Sequence, residues 1–216
     1  MESKLHYTAI SPVLLSTLRK LMAAKEFDFF RLVGGTALGL YRGHRVSDDI
    51  DMFSDAEYDS IDFTAIDSFL RKTFTYADIG RYKATGMGKS YFVGENKNVC
   101  IKLDLFYTDR FIQKFQLIDS IRLATVEEII AMKMDSISRG GRKKDFWDIH
   151  ELMSEYTLED MLSFHKKRYP YNHHDKELLS KFTDFTKADD DFTPICLKGK
   201  IWEIIKLDFL DFVKPF

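Results

Sequence analysis

Asp49 and Asp51 sit in the run Asp49-Ile50-Asp51-Met52-Phe53, where polar and apolar residues alternate. The alternation predicts a half-buried strand, and residues i and i+2 of a strand leave the same face. Ile50 and Met52 then anchor the strand in the core while the two carboxylates project together. A third carboxylate, Asp104, lies in the run Val99 to Tyr107 between Leu103 and Leu105, where Ile101, Leu103, Leu105 and Tyr107 share one face. If the two strands are neighbours, three carboxylates converge. Like charges about 4 Å apart repel by roughly 4 kcal/mol at an effective dielectric near 20, so such a cluster is partly protonated or holds cations. Hard oxygen ligands with room for phosphate favour Mg²⁺. A lone D-x-D is more often a solvated strand end, but here Gly34-Gly35 precedes it, between a short apolar run and a helical pattern. A glycine pair at a helix start lets backbone N–H groups face an anion. Together these residues supply a phosphate cradle and a cation site.

The elements that must position them follow from patterning. Ser11-Pro12 opens a helix to about Lys25, with Leu14, Leu15, Leu18, Leu21 and Met22 at helical spacing. Phe29 to Val33 reads as a strand that halts at Gly34-Gly35, followed by a short helix from Thr36 to Tyr41. Ile61 to Phe74 is helical. A glycine-bearing stretch leads to a strand at Tyr91-Phe92-Val93, and Gly94 to Asn98 reads as the hairpin turn before the Asp104 strand. Thr125 and Glu128 form a T-x-x-E capping box ahead of Ile129, Ile130, Met134 and Ile137. Gly140-Gly141 ends that helix, a second runs from about Lys143 to Met153, and the stretch after Leu158 holds two or three more, including one from about Lys200 to Phe212. The fold class is α+β, a mixed sheet with flanking helices followed by a helical C-terminal half.

Composition narrows the setting. The 216 residues carry 32 Lys+Arg against 34 Asp+Glu, a net charge of −2, so nucleic-acid contact needs a local patch. No apolar run approaches the roughly 20 residues that span a bilayer, and MESKLHYTAISP lacks a leader pattern. Two cysteines, Cys100 and Cys196, suit a reduced, cytoplasmic setting.

Gly34-Gly35-Thr36-Ala37-Leu38, then His44-Arg45-Val46-Ser47-Asp48-Asp49-Ile50-Asp51-Met52-Phe53, resembles the signature of the AbiEii/AbiGii toxin family of nucleotidyltransferases. These belong to the polymerase-β-like superfamily, whose pattern is a glycine pair, a D-x-D and a distal Asp. The resemblance continues at Lys133 and at Arg142-Lys143-Lys144-Asp145-Phe146-Trp147-Asp148-Ile149, where the family has a lysine on one helix and an R-x-K-D-x-x-D-[LI] stretch opening the next. Gly35 stands where the superfamily usually has serine, a form the toxin family shares, and the chain after Tyr156 matches no motif.

The resemblance implies a nucleotidyltransferase core over residues 1–120 with the metal and NTP site, and a helical region over 121–216 that completes the cleft. It implies that Asp49, Asp51 and Asp104 hold Mg²⁺, or Mn²⁺ in its place, with Asp104 activating the incoming hydroxyl. Gly34, Gly35 and Thr36 would bond the phosphates, Lys133 would act against the triphosphate, and Asp145 would position Lys133 or the nucleotide. The implied reaction moves a nucleoside monophosphate from an NTP to RNA, with a tRNA 3′ end favoured, and a toxin implies a cognate antitoxin. Transfer to a small molecule or a protein side chain, and a non-catalytic nucleic-acid-binding relative, are the alternatives.

Several residues carry two readings. Arg45 clamps phosphate or pairs with Asp48, and Ser47 bonds phosphate or serves as a turn hydroxyl; His44 reads as structural. Arg139, Arg142, Lys143 and Lys144 form the densest basic patch and the best candidate for RNA backbone contact, which Lys166, Lys167 and Arg168 could extend. His173-His174-Asp175 lacks partners at ligand spacing and is not read as a metal site. Phe146 and Trp147 are assigned to the core.

Overall fold

The computed structural model describes residues 5–79 and 86–214. Part of the glycine-bearing stretch ahead of Tyr91 lies outside those residues. The first helix, α1 (Pro12–Met22), starts where expected, with the Ser11 hydroxyl accepting from the Leu14 N–H. Strand β1 is only Arg31–Leu32, shorter than the Phe29 to Val33 run, because the chain turns on both sides of it. Helix α2 (Gly34–Arg42) begins at the glycine pair itself rather than after it.

Strand β2 (Asp49–Ser54) alternates as its sequence predicts, with Ile50 and Met52 fully buried. Helix α3 (Phe63–Thr73) is capped by the Asp62 side chain, and β3 (Tyr76–Asp78) follows. The hairpin of β4 (Gly88–Asn96) and β5 (Val99–Tyr107) is longer than expected. Gly94 belongs to β4 at a register shift and is not in the turn. A Cβ there would lie 2.3 Å from the Val99 carbonyl oxygen, so only glycine fits.

Short strands β6 (Gln116–Ile118) and β7 (Ile121–Leu123) complete a seven-stranded sheet in the order β3-β4-β5-β2-β1-β7-β6. The helical portion therefore begins after β7, at α4 (Val126–Ser138). The sheet is mixed: β2 runs parallel to β5 and antiparallel to β1. Register sets Asp51 opposite Asp104 and Asp49 opposite Lys102.

The expected Thr125–Glu128 capping box is half formed. The Thr125 hydroxyl accepts from the Glu128 N–H, but the Glu128 carboxylate turns inward to Arg168 at 2.9 Å and accepts from the Ile112 and Gln113 N–H groups. A buried arginine attracts the carboxylate more strongly than a free N–H does.

Helices α5 (Lys143–Leu152), α6 (Leu158–Arg168), α7 (Asp175–Phe182), α8 (Thr186–Asp189) and α9 (Trp202–Val213) follow, so the described residues from Leu158 onward hold four helices against the two or three expected there. Phe146 packs against Phe185, Trp202 and Phe209, so α9 closes a core with one face. The segment before α9 returns to the sheet half. Ile195 accepts from the Val46 N–H, and Leu197 donates to the His44 carbonyl, both at 2.9 Å. Among the described residues no helix is long and apolar enough to cross a membrane.

His165 is fully buried on α6, with Nδ1 2.9 Å from Nδ1 of His173, which in turn pairs with Asp175. Burial, then the neighbouring His173, lowers His165 to about 4. The unfolded chain thus binds a proton that the folded chain refuses between about pH 6.5 and 4. Stability is expected to fall across that window by about 3 kcal/mol. Urea denaturation of wild type and His165→Gln at pH 7.5 and 4.5 checks this; a loss of equal size in the variant would refute it.

Candidate active site

Asp49 and Asp51 stand on the same face of β2 and line a cavity of about 200 Å³ with Gly34, Gly35, Phe53, Lys133, Lys144 and Asp145. Asp51 is raised to about 6, first by burial and then by Asp104 and Asp49, with Lys133 and Lys144 opposing. The carboxylates are thus close enough to repel one another, as their strand spacing predicts.

Their convergence is incomplete. Lys102 donates to Asp104 Oδ2 at 2.6 Å, while Asp104 Oδ1 is buried with no hydrogen-bond partner. Among the described residues no three acidic, histidine or cysteine side chains converge closely enough to enclose a metal ion by themselves. The donor set still fits a divalent cation: hard oxygens, repelling negative charge and an orphaned buried carboxylate oxygen. Asp49 and Asp51 could hold such an ion with phosphate oxygens completing its shell, and Asp104 could join once Lys102 moves.

The cradle is built by α2. No side chain caps its first turn, so its N–H groups and the positive end of its dipole face the cavity beside Asp51. Gly34 has φ +66°, and a Cβ on it would lie 2.9 Å from Asp51 Oδ2. Gly35 has a different reason: a Cβ there would sit 2.2 Å from Arg45 Nη2. The guanidinium fills the space that a serine side chain would need.

That geometry corrects the expectation for Arg45. Its guanidinium is buried and grips Asp148 through two bonds, Nε to Oδ1 at 2.6 Å and Nη2 to Oδ2 at 2.8 Å. Its hydrogen-bonding carboxylate is therefore Asp148 and not Asp48, and two of its nitrogens are engaged there. Asp148 also meets His44 Nε2 at 2.8 Å and Lys133 Nζ at 2.7 Å. Burial pushes its carboxyl up, but Arg45, Lys133 and His44 outweigh that and hold it well below the usual carboxylate range.

Lys133 bonds Asp145 Oδ1 at 2.7 Å as well. Burial disfavours its charge, yet Asp145 and Asp148 keep it an ammonium. Two of its three N–H donors are used, which leaves one for the cavity it lines. Asp145 also accepts from the Arg142 N–H and so ties Lys133 to the start of α5.

Two expected phosphate donors are committed elsewhere. The Thr36 hydroxyl donates to the Asp49 carbonyl, so the hydrogen in its 2.8 Å contact with Ser47 must come from Ser47. Both hydroxyls thus fix the start of β2, and Thr36 can offer phosphate only its backbone N–H.

The basic patch divides. Lys143 is buried, with Nζ near the Asp189 carbonyl and Thr193 and over the Trp202 ring. Its ammonium is thus turned away from the exposed part of the patch. Arg168 is also buried, donating to the Asp109 and Arg110 carbonyls and ion-paired with Glu128. Arg139 is exposed and pairs with Asp135. Lys144 lines the cavity, 3.8 Å from Asp49, and Arg142 lies nearby against Asp191. Sequence reasoning gave Asp148 no role beyond a helix-start carboxylate and passed over Lys102. The charged Lys102 opposite Asp49 was the available signal once strand pairing is known.

Fold and site together define a nucleotidyltransferase: a D-x-D strand beside a glycine-led helix, faced by lysines from two further helices. A family model for the nucleotidyl transferase AbiEii toxin, type IV toxin–antitoxin system, matches residues 16–216, and the chain belongs to that family. An uncharacterized protein of Aquifex aeolicus (strain VF5) is 29% identical over 163 residues, spanning 70% of this chain and 72% of that protein. Among solved structures, MenT4, a nucleotidyltransferase toxin of Mycobacterium tuberculosis H37Rv, superposes with a TM-score of 0.60 at 13% identity, covering 94% of this chain and 84% of that one. JHP933 from Helicobacter pylori gives 0.57 at 17%, covering 94% and 88%. At these identities the two structures speak to the fold. Nucleotidyltransferases generally use divalent metal ions, which agrees with the donor set above.

Gly35→Ala tests the cradle. The new methyl must displace Arg45, which Asp148 holds from below. A loss of about 2 kcal/mol is expected in urea denaturation, against little change for Gly39→Ala, where the nearest atom lies at 3.4 Å.

Proposed function

We propose that this chain transfers a nucleoside monophosphate from an NTP to the 3′ hydroxyl of an RNA, with tRNA the favoured acceptor, and releases pyrophosphate. The observation that carries the reading is the placement of Asp49 and Asp51 beside the uncapped start of α2, with Lys133 and Lys144 facing them. The triphosphate lies against the first-turn N–H groups of α2. Lys133, held charged by Asp145 and Asp148, donates its remaining N–H to a phosphate oxygen. The acceptor oxygen bonds to the α-phosphorus, the α–β P–O bond breaks, and Asp104 takes the hydroxyl proton. A divalent cation, Mg²⁺ in this reading, would be held by Asp49 and Asp51 and would neutralise charge on the attacking and leaving oxygens.

In the setting of a toxin–antitoxin system, the transfer blocks the acceptor RNA, and a cognate antitoxin neutralises it. Transfer to a small molecule is less well supported, because the cavity is small and bordered by cations, Lys144 in its wall and the exposed Arg142 nearby.

The test incubates the protein with Mg²⁺, each α-labelled NTP in turn, and total RNA with cell protein. Label in a tRNA-sized band, absent from an Asp49→Ala/Asp51→Ala control, is the expected result. Label in protein would replace the acceptor, and no label despite NTP binding would overturn RNA as the acceptor.

A further inference from the structure

A second cavity, of about 300 Å³, adjoins the first and shares Ser47, Asp49 and Lys144 with it. Its far wall is the segment Asp191 to Ile195, which matches no motif read from the sequence. That wall is firmly placed. Asp191 accepts from Arg142 and from the Lys143 N–H, Thr193 meets Lys143 Nζ, and the Ile195 carbonyl accepts from Val46. Phe192 stands on this wall with 89% of its surface exposed. A large aromatic side chain is costly to leave in water, and here it is held at the mouth of a cavity flanked by two cations. Arg142 and Lys144 both line the cavity, and Lys144 reaches toward the catalytic carboxylates.

An exposed ring and two cations lining one cavity, with Asp49 in its wall, match the chemistry of one nucleotide unit, with its base on the ring and its phosphate on the cations. The NTP has its own cavity, with the helix start and Lys133, so this one serves the other substrate. We propose that the cavity is the acceptor subsite, in which the terminal base of a single-stranded RNA end stacks on Phe192 and its backbone phosphate meets Arg142 and Lys144. The inference rests on the RNA-transfer reading and adds a place and a recognition mode. Stacking on an aromatic ring tolerates any base, so it selects an unpaired end over a sequence.

The experiment measures fluorescence anisotropy of a labelled single-stranded RNA hexamer with a free 3′ end, on the full chain with Mg²⁺, and NTP affinity separately by calorimetry. Phe192→Ala is expected to weaken RNA binding about tenfold, Phe192→Trp to restore it, and both to leave NTP affinity within about twofold. Because Phe192 is exposed, both variants should fold, and thermal melting confirms that. RNA binding indifferent to Phe192 would overturn the subsite alone. A loss of NTP affinity in Phe192→Ala would assign the ring to the NTP base and overturn it too. Absence of RNA binding by the wild type, with NTP bound, would overturn the RNA-acceptor reading itself.

Discussion

Asp51→Asn is expected to abolish nucleotidyl transfer while making the metal-free protein more stable. On the proposed reaction the loss of activity follows from removing one of the two carboxylates beside the start of α2, and a fall of at least about a thousandfold in kcat is expected for a charge-stabilising group of this kind. The gain in stability follows from electrostatics. Asp51 is raised from 3.8 to about 6 by burial and by Asp104 and Asp49, so the folded state holds its proton more tightly than the unfolded state. Its ionisation therefore costs stability as pH rises from about 4 to 6, and the full cost persists at neutral pH. Asparagine removes that cost, a gain of roughly 1–2 kcal/mol once water in the cavity is allowed for. Added divalent cation should reverse the ranking, because binding to the native wild type stabilises it by mass action. Thermal melts of both proteins in EDTA and in Mg²⁺ check this. A variant less stable than wild type in EDTA would contradict the repulsion argument.

Asp148→Ala is expected to be the most destabilising single substitution near the site. The carboxylate is fully buried and meets His44, Arg45 and Lys133 at 2.6–2.8 Å. Removing it leaves buried cations uncompensated, which costs about 3–5 kcal/mol. It also frees Arg45 beneath Gly35 and loosens Lys133, so activity should fall with stability. Asp211→Ala, at an exposed pair with Lys214, should change stability by about 0.5 kcal/mol or less. The acid behaviour is separate from that of His165. A carboxyl held well below 3.8 contributes stability that is present above the unfolded value and lost as pH falls through the folded one. Wild type should therefore lose this contribution below about pH 4, and Asp148→Asn should not. Urea denaturation between pH 5 and 3 measures it, and parallel curves for the two proteins would refute the assignment.

The site was legible in the sequence where local periodicity decides the outcome. The alternation around Asp49 and Asp51 placed Ile50 and Met52 in the core, because a strand has only two faces and burial chooses one. The glycine pair marked the start of a helix, and the Leu103-Asp104-Leu105 triplet marked a strand with an outward carboxylate. These depend on residues a few positions apart, whose relative directions the backbone fixes.

Who pairs with whom across long separations was not legible. Arg45 takes Asp148, about a hundred residues away, rather than the nearby Asp48, because a buried guanidinium needs a buried, bidentate acceptor and Asp48 is exposed. Lys143 turns inward while its neighbours Arg142 and Lys144 line a cavity, since helix α5 gives adjacent residues directions about 100° apart. Glu128 leaves its capping role for Arg168 by the same competition between a nearby dipole and a distant charge. The sequence by itself determined the strands, the helix start and the identity of the carboxylates that share one face of the sheet. The tertiary structure alone decided which cations are spent holding the fold and which remain to meet a substrate, because that choice depends on burial, and burial depends on the whole chain.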